Sequence, residues 1–359
     1  MRLMISGGGT GGHVYPALAV VQELRRQATG QRSPDEEGLE LLWVGSADGM
    51  EQELAARAGI PLATIPAAGL RGKNPVAAGR GLWALGRGYG HSLRLVRRFQ
   101  PDALFVTGGY VCTPVTLAAR RARVPVLIYL PDIEPGLAIK FLSRFADRVA
   151  VTAPEAQRFF RPGLTVVSGY PVRPELYQTQ RGEARARLGL EPAEPVLLVF
   201  GGSRGARSIN RAVGAAIEEL LEAAQVVHIS GHLDAGWMQA RRSELGAAQQ
   251  ARYHLYRYLH AEMSDALAAA DLVVSRAGAS VLGEYPALGL PAILVPYPHA
   301  GAHQARNAAY LAGRGAAVVV NDADLATNLK GATLSLLADR ARRAQMAAAA
   351  RALARPRAA

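Results

Sequence analysis

Two glycine-rich turns constrain this chain more than any other feature, because each is wedged between an apolar run and a helix-period segment. The first follows Arg2-Leu-Met-Ile-Ser6 and reads Gly7-Gly-Gly-Thr-Gly-Gly-His13. The second follows Pro195-Val-Leu-Leu-Val-Phe200 and reads Gly201-Gly-Ser-Arg-Gly-Ala206. Glycines at a strand-to-helix turn let the backbone approach a phosphate, and the helix N-terminus adds N–H donors and a positive dipole. One such turn suits a dinucleotide-dependent dehydrogenase. Two, one in each half, suit a transferase that joins two phosphorylated substrates. The first turn is also not cleanly followed by the acid about 20 positions on that the G-x-G-x-x-G fingerprint calls for. An imidazole at its end has no place in a dehydrogenase loop, so His13 either caps the turn or serves a substrate.

The rest of the chain repeats this rhythm. Apolar runs bounded by Gly or Pro predict strands at 2–6, 39–44, 102–107, 125–130, 148–152 and 164–168. A second set is predicted at 195–200, 226–230, 254–259, 272–276, 291–295 and 316–320. Helical segments between them imply an α/β protein with two doubly wound parallel sheets, one per half. The two prolines of Gly169-Tyr-Pro-Val-Arg-Pro174 favour a stiff connection, which places the domains at 1–169 and 170–359. The one cysteine, Cys112, excludes an intrachain disulfide framework and suits a reducing compartment. No signal-peptide pattern opens the chain, and no apolar run is long enough to span a bilayer.

The formal net charge of +12, carried by 38 Arg and 3 Lys, attracts polyanions but also fits a base-composition or heat-adaptation bias. One basic excursion interrupts the rhythm. Residues 67–99 mix Arg with Leu82, Trp83, Leu85 and Tyr89. The segment reads either as an ordinary crossover helix or as a surface that sits on anionic lipid.

These residues resemble the MurG family of GT-B glycosyltransferases. The shared stretches, in family order, are GGTGGH (Gly8 to His13), GLRGK (Gly69 to Lys73), GGYV (Gly108 to Val111) and YPVR (Tyr170 to Arg173). GGSRGA (Gly201 to Ala206), SRAGASVLGE (Ser275 to Glu284) and HQARNA (His303 to Ala308) complete the set. The resemblance implies two Rossmann-like domains facing a cleft. It also implies inverting transfer of N-acetylglucosamine from its UDP donor to the 4-hydroxyl of the muramyl sugar of an undecaprenyl-diphosphate-linked acceptor. Such an enzyme would be peripheral to the cytoplasmic face of the membrane, on an anionic inner leaflet. No cofactor, metal or nucleic acid would be needed.

The resemblance carries site residues with it. Glu284, opening a helix, would accept from the ribose hydroxyls, and Tyr258-Leu259, ending a strand, would present backbone to uracil. Arg173 and Ser203 would meet the diphosphate, with Ala279 beside the donor. His303, Gln304 and Asn307 would face the sugar. Thr10, Gly11, Gly12 and Tyr110 would line the acceptor site, and His13 is the candidate base because imidazole ordinarily titrates near neutrality. The D-x-D spelling Asp322-Ala-Asp324 is expected to cap a helix rather than bind metal.

Two departures stand out. Where family members carry His-Glu-Gln-Asn, this chain has Tyr129-Leu130-Pro131-Asp132, with Glu134 nearby, which makes Asp132 a rival base. The chain also ends at ARPRAA, where a closing helix would cross back, so that helix is expected to be truncated. Competing readings are a MurG-like transferase with another lipid or glycan acceptor, a UDP-sugar 2-epimerase, a dinucleotide-dependent oxidoreductase and a nucleic-acid binder. The second glycine turn disfavours the oxidoreductase, and the lack of RNP, helix-turn-helix or aromatic-basic patterns disfavours the last.

Overall fold

A strand buried on both faces reads as an unbroken apolar run, and Leu3, Met4 and Ile5 are all buried in the first strand. The computed structural model describes residues 1–9, 11–30, 38–47, 49–67, 75–202, 205–298 and 303–359. Its first sheet comprises β1 (Arg2–Gly7), β2 (Glu40–Gly45), β3 (Leu62–Thr64), β4 (Ala103–Gly108), β5 (Val126–Leu130), β6 (Arg148–Val151) and β7 (Thr165–Val167). All pairings are parallel, in the order β3-β2-β1-β4-β5-β6-β7. The strand order reverses between β1 and β4. Beyond the C-terminal ends of those strands lies the crevice where doubly wound folds hold ligands.

The helices of this unit include α1 (Gly11–Gly30), α2 (Glu51–Arg57), α3 (Pro75–Phe99), α4 (Cys112–Arg121) and α5 (Leu137–Leu142). α1 begins directly on the glycine turn, although Pro16 stands inside it. That proline denies the Gly12 carbonyl its usual helical N–H.

The second sheet comprises β8 (Val196–Phe200), β9 (Gln225–Ile229), β10 (Tyr253–Tyr256), β11 (Leu272–Ser275), β12 (Ala292–Leu294) and β13 (Ala317–Val319). It is also parallel, ordered β10-β9-β8-β11-β12-β13, with its reversal between β8 and β11. Leu197, Val199, Val226, Val274 and Ile293 sit in one core with the helix Arg207–Ala215 and the helix Leu325–Ala338. Truncating Leu197 or Ile293 to Ala is expected to cost about 2–5 kcal/mol.

The chain divides into two compact units, Met1–Arg173 with Pro356–Ala359, and Pro174–Arg355. The break thus falls four residues beyond the one expected from the prolines, and the last four residues belong with the first unit. The final helix is Arg340–Ala352.

Candidate functional site

In the first unit the glycine turn is pinned from several sides. The buried Trp43 donates its indole N–H to the Gly7 carbonyl at 2.9 Å. Gly8 N–H donates to the Gly108 carbonyl at 3.1 Å, which ties the turn to the end of β4. Gly9 N–H donates to Glu51 Oε2 at 3.1 Å. The amides of Gly8 and Gly9 are therefore spent inside the protein. The donors the turn can offer a phosphate are those of the α1 N-terminus, where Gly11, Gly12 and His13 are the first three residues.

His13 is held by this arrangement. Its Nδ1 lies 3.0 Å from the Gly8 carbonyl oxygen. A carbonyl only accepts, so Nδ1 carries the proton and Nε2 of the neutral ring is left as the acceptor. The ring rests on Gly108, where an added Cβ would lie 2.9 Å from Nε2. Gly108 and Gly109 have φ of 123° and 100°, so glycine is needed there for conformation as well as space. Tyr110 follows at the mouth of the turn, 55% exposed, and its carbonyl accepts from Thr113 N–H. Thr10 lies outside the described residues.

Glu51 was missed in the sequence. Its side chain is fully buried at the start of α2, and Oε1 accepts from both Ser46 N–H (2.9 Å) and Ser46 Oγ–H (2.7 Å). Burial pushes its carboxyl up, but the donors of Ser46 and Gly9 outweigh this and hold it below its ordinary value. Three glycines make room for it. A Cβ at Gly8, Gly45 or Gly49 would come within 2.3, 2.7 or 2.1 Å of its atoms. The available signal was an acid just after the end of β2, on the same sheet edge as the glycine turn.

The stretch that departs from the family pattern is mostly core. Tyr129 and Leu130 are buried in β5, and the Tyr129 hydroxyl lies 2.8 Å from Thr152 Oγ1. Burial, the Thr152 hydrogen bond notwithstanding, drives its phenol well above the usual range. Asp132 follows at the strand's end and is part-exposed. Glu134 pairs with Lys140 at 3.5 Å. Arg173 belongs to this first unit, with its guanidinium over the Tyr15 ring of α1 at 5.4 Å.

Away from the turns, the first unit shows a mixed basic and apolar surface. Trp83 is 66% exposed with the Arg87 guanidinium 4.7 Å over its ring, and Leu137 and Phe141 are exposed on α5. Tyr89, Leu117, Arg120, Arg121 and Phe145 line an open pocket of about 470 Å³. Leu85 is half-buried, Tyr89 also packs on the core, and the side chain of Leu82 is outside the described residues.

In the second unit, Ser203 lies outside the described residues. Gly205 presses onto the residue that follows β9, since a Cβ there (φ 79°) would lie 2.3 Å from the Ser230 carbonyl oxygen. Beneath it runs a buried network. Arg207 pairs with Asp234 at 2.9 Å, and Asn210 donates to Asp234 and to the Ser230 carbonyl. Asn210 Oδ1 faces His228 Nε2 at 3.0 Å, and Tyr253 Oη meets His228 Nδ1 at 2.8 Å. With its amide hydrogens committed elsewhere, Asn210 accepts from Nε2–H, and Nδ1 accepts from the Tyr253 hydroxyl. Burial holds His228 down at about 3, the Asp234 charge only partly opposing it.

Several expectations for this unit need correction. β10 ends at Tyr256, so Tyr258 and Leu259 lie in the following loop. The neighbouring strand β9 stops at Ile229 and turns away at Gly231 (φ 80°), which ends the ladder. Tyr258 is stacked with His232, ring centroids 5.8 Å apart, and Leu259 is buried. Asp324 stands at the N-cap position of the helix Leu325–Ala338, without a side-chain capping bond, whereas Asp322 does not cap a helix. Asp322 accepts from Ser208 Oγ at 2.7 Å and from Arg276 at 2.5 Å, while Asp324 accepts from Asn321. Asn307 is wholly buried and donates to the Ala277 carbonyl at 3.1 Å, which fastens its helix to the turn after β11. Gln304 Oε1 accepts from Tyr297 N–H at 2.8 Å.

Ala279 opens a short 3-10 turn, Glu284 is the part-buried first residue of the helix Glu284–Leu288, and His303 begins the helix His303–Ala312.

Residues 3–151 match the glycosyltransferase family 28 N-terminal domain, and residues 196–359 match its C-terminal domain. The chain is 44% identical to the UDP-N-acetylglucosamine–N-acetylmuramyl-(pentapeptide) pyrophosphoryl-undecaprenol N-acetylglucosamine transferase of Roseiflexus sp. strain RS-1, over 100% of this chain and 93% of the relative. To the enzyme of that name from Moorella thermoacetica it is 43% identical, over 99% and 95%. The crystal structure of Acinetobacter baumannii MurG superposes with a TM-score of 0.74 at 28% identity, covering 99% of this chain and 96% of that one. This chain belongs to the MurG family. Its fold is GT-B, which a UDP-GlcNAc 2-epimerase from Neisseria meningitidis shares at only 13% identity and a TM-score of 0.69. The MurG-family stretches fall at the C-terminal ends of strands, GGTGGH after β1, GGYV after β4, GGSRGA after β8 and SRAGASVLGE after β11.

Proposed function

We propose that this chain transfers N-acetylglucosamine from UDP-N-acetylglucosamine to N-acetylmuramyl-(pentapeptide) pyrophosphoryl-undecaprenol, with inversion at the anomeric carbon. The observation that carries the reading is 44% identity, along the whole chain, to a transferase of that name. The first unit takes the acceptor, and most of the donor-binding residues lie in the second. In the transfer, the muramyl 4-hydroxyl oxygen bonds to the anomeric carbon as the bond from that carbon to the diphosphate oxygen breaks. The electron pair leaves on UDP, and the hydroxyl proton goes to His13 Nε2. Support for that role is the Gly8 carbonyl on Nδ1, which leaves Nε2 able to accept. Asp132, part-exposed at the end of β5, is the rival base.

Gly11 and Gly12 at the α1 N-terminus, with Thr10 and Tyr110, would receive the acceptor's diphosphate. Arg173 would neutralise the UDP diphosphate, and the Ser203 hydroxyl would donate a hydrogen bond to it. Glu284 would hold the ribose, Tyr258 and Leu259 the base, and Ala279, His303 and Gln304 the donor sugar. The acceptor is embedded in lipid, and among the described residues no helix is long and apolar enough to cross a membrane. The exposed Trp83, Leu137 and Phe141, set among Arg87, Lys140 and Arg144, would seat the enzyme on the anionic cytoplasmic leaflet.

The test supplies radiolabelled donor with the purified muramyl-pentapeptide lipid and, separately, with a total lipid extract depleted of it. Label is expected only in the first. Label entering another lipid of the extract while the muramyl lipid stays unlabelled would replace the acceptor.

A further inference from the structure

We propose that Glu51 is a positioning residue for His13, acting through the glycine turn. The proposal rests on the reading of His13 as the base. Glu51 is fully buried and lies in neither set of ligand-facing residues. Each of its carboxylate oxygens serves one wall of the turn. Oε1 takes both donors of Ser46 after β2, and Oε2 takes Gly9 N–H. Gly9 directly follows Gly8, whose carbonyl fixes the proton on His13 Nδ1. The chain of contacts thus runs from Ser46 through Glu51 to Gly9, Gly8 and the imidazole.

The packing is selective for a carboxylate. Gly8, Gly45 and Gly49 surround it so closely that a Cβ at any of them would overlap its atoms. Every neighbour that faces an oxygen is a donor. Glutamine has the same shape but only one acceptor oxygen, so with Oε1 on Ser46 its amide N–H groups would confront Gly9 N–H. The turn would then swing, the Gly8 carbonyl would leave Nδ1, and the imidazole would lose both its orientation and its tautomer bias.

Glu51→Gln is expected to lower kcat by about tenfold to a hundredfold, the loss associated with small misplacements of a reacting group. The KM for UDP-N-acetylglucosamine should stay within about twofold, because none of the Glu51 hydrogen-bond partners is a residue assigned to the donor. Ser46→Ala, which removes one donor but leaves the charge, should move kcat a few-fold the same way and serves if Glu51→Gln does not fold. The deciding readout is the long-range proton–nitrogen spectrum of His13. It should show the Nδ1–H tautomer in the wild type and a mixture in Glu51→Gln. An unchanged tautomer and unchanged kcat in a folded Glu51→Gln or Ser46→Ala protein would overturn the proposal. If instead the tautomer shifts in Glu51→Gln while His13→Ala itself costs less than about tenfold, the positioning stands and the base assignment fails.

Discussion

His13 and Asp132 compete for one proton, and they make opposite forecasts. With His13 as base, His13→Ala should lower kcat by about 10²–10⁴ with donor affinity held. Asp132→Asn, which restores the residue of the family pattern, should then be nearly neutral. Steady-state kinetics on the two variants separates them, and the reverse ranking would hand the role to the carboxylate. In the second unit, Glu284→Ala should weaken UDP binding by about 1.5–3 kcal/mol, the range for hydrogen bonds to a charged group, and calorimetry reads this directly. His228 makes a different forecast. Its folded pKa of about 3 lies below the ordinary 6.5, so between those values the unfolded chain holds a proton that the folded chain does not. Stability contributed by the neutral ring is therefore lost as pH falls through that window, at up to about 1.4 kcal/mol per pH unit. Urea unfolding at pH 7 and pH 5 should show a steeper loss for the wild type than for His228→Gln. Equal slopes would contradict the buried neutral assignment. Residues that announce themselves by type, such as the imidazole in a glycine turn, could be found in the sequence. Glu51, Asn210 and His228 could not, because their importance lies in what surrounds them, and a lone acid or amide carries no trace of its partners.

At the scale of elements, the apolar runs and glycine turns were legible because a parallel strand buried on both faces is a continuous apolar word. What escaped was decided by neighbours. β3 has three residues and borrows its stability from β2, too short a run to stand out in sequence. β10 stops at Tyr256 because β9 turns away, not because its own residues cease to favour a strand. α1 starts at Gly11, inside the glycine turn itself, where the tie from Gly8 N–H to the end of β4 compensates for glycines of low helix propensity. The surface around α3 and α5 carries the membrane forecast. Trp83→Ser combined with Leu137→Ser should reduce binding to anionic vesicles by tenfold or more, since each inserted side chain contributes about 1.5–3 kcal/mol. Turnover of a detergent-soluble acceptor analogue should be spared. Sedimentation of the double variant with vesicles at moderate salt is the check. Undiminished binding would return α3 to the status of a solvated crossover helix.

For the whole molecule, two doubly wound units with a glycine turn at each switch point offer one turn for each of the two phosphorylated substrates proposed, where a single-nucleotide dehydrogenase would need only one. The shared GT-B architecture alone would equally admit an epimerase. The identity to transferases along the full chain distinguishes the two. The most direct measurement is the structure of the product formed from UDP-N-acetylglucosamine and the muramyl-pentapeptide lipid, taken by mass spectrometry and proton NMR. The account predicts one added N-acetylhexosamine on the muramyl 4-oxygen, with the large H1–H2 coupling of a β-glucosaminide, and UDP released in equal amount. An α-linked product, a free 2-epimerised sugar nucleotide, or UDP release without a disaccharide lipid would contradict it.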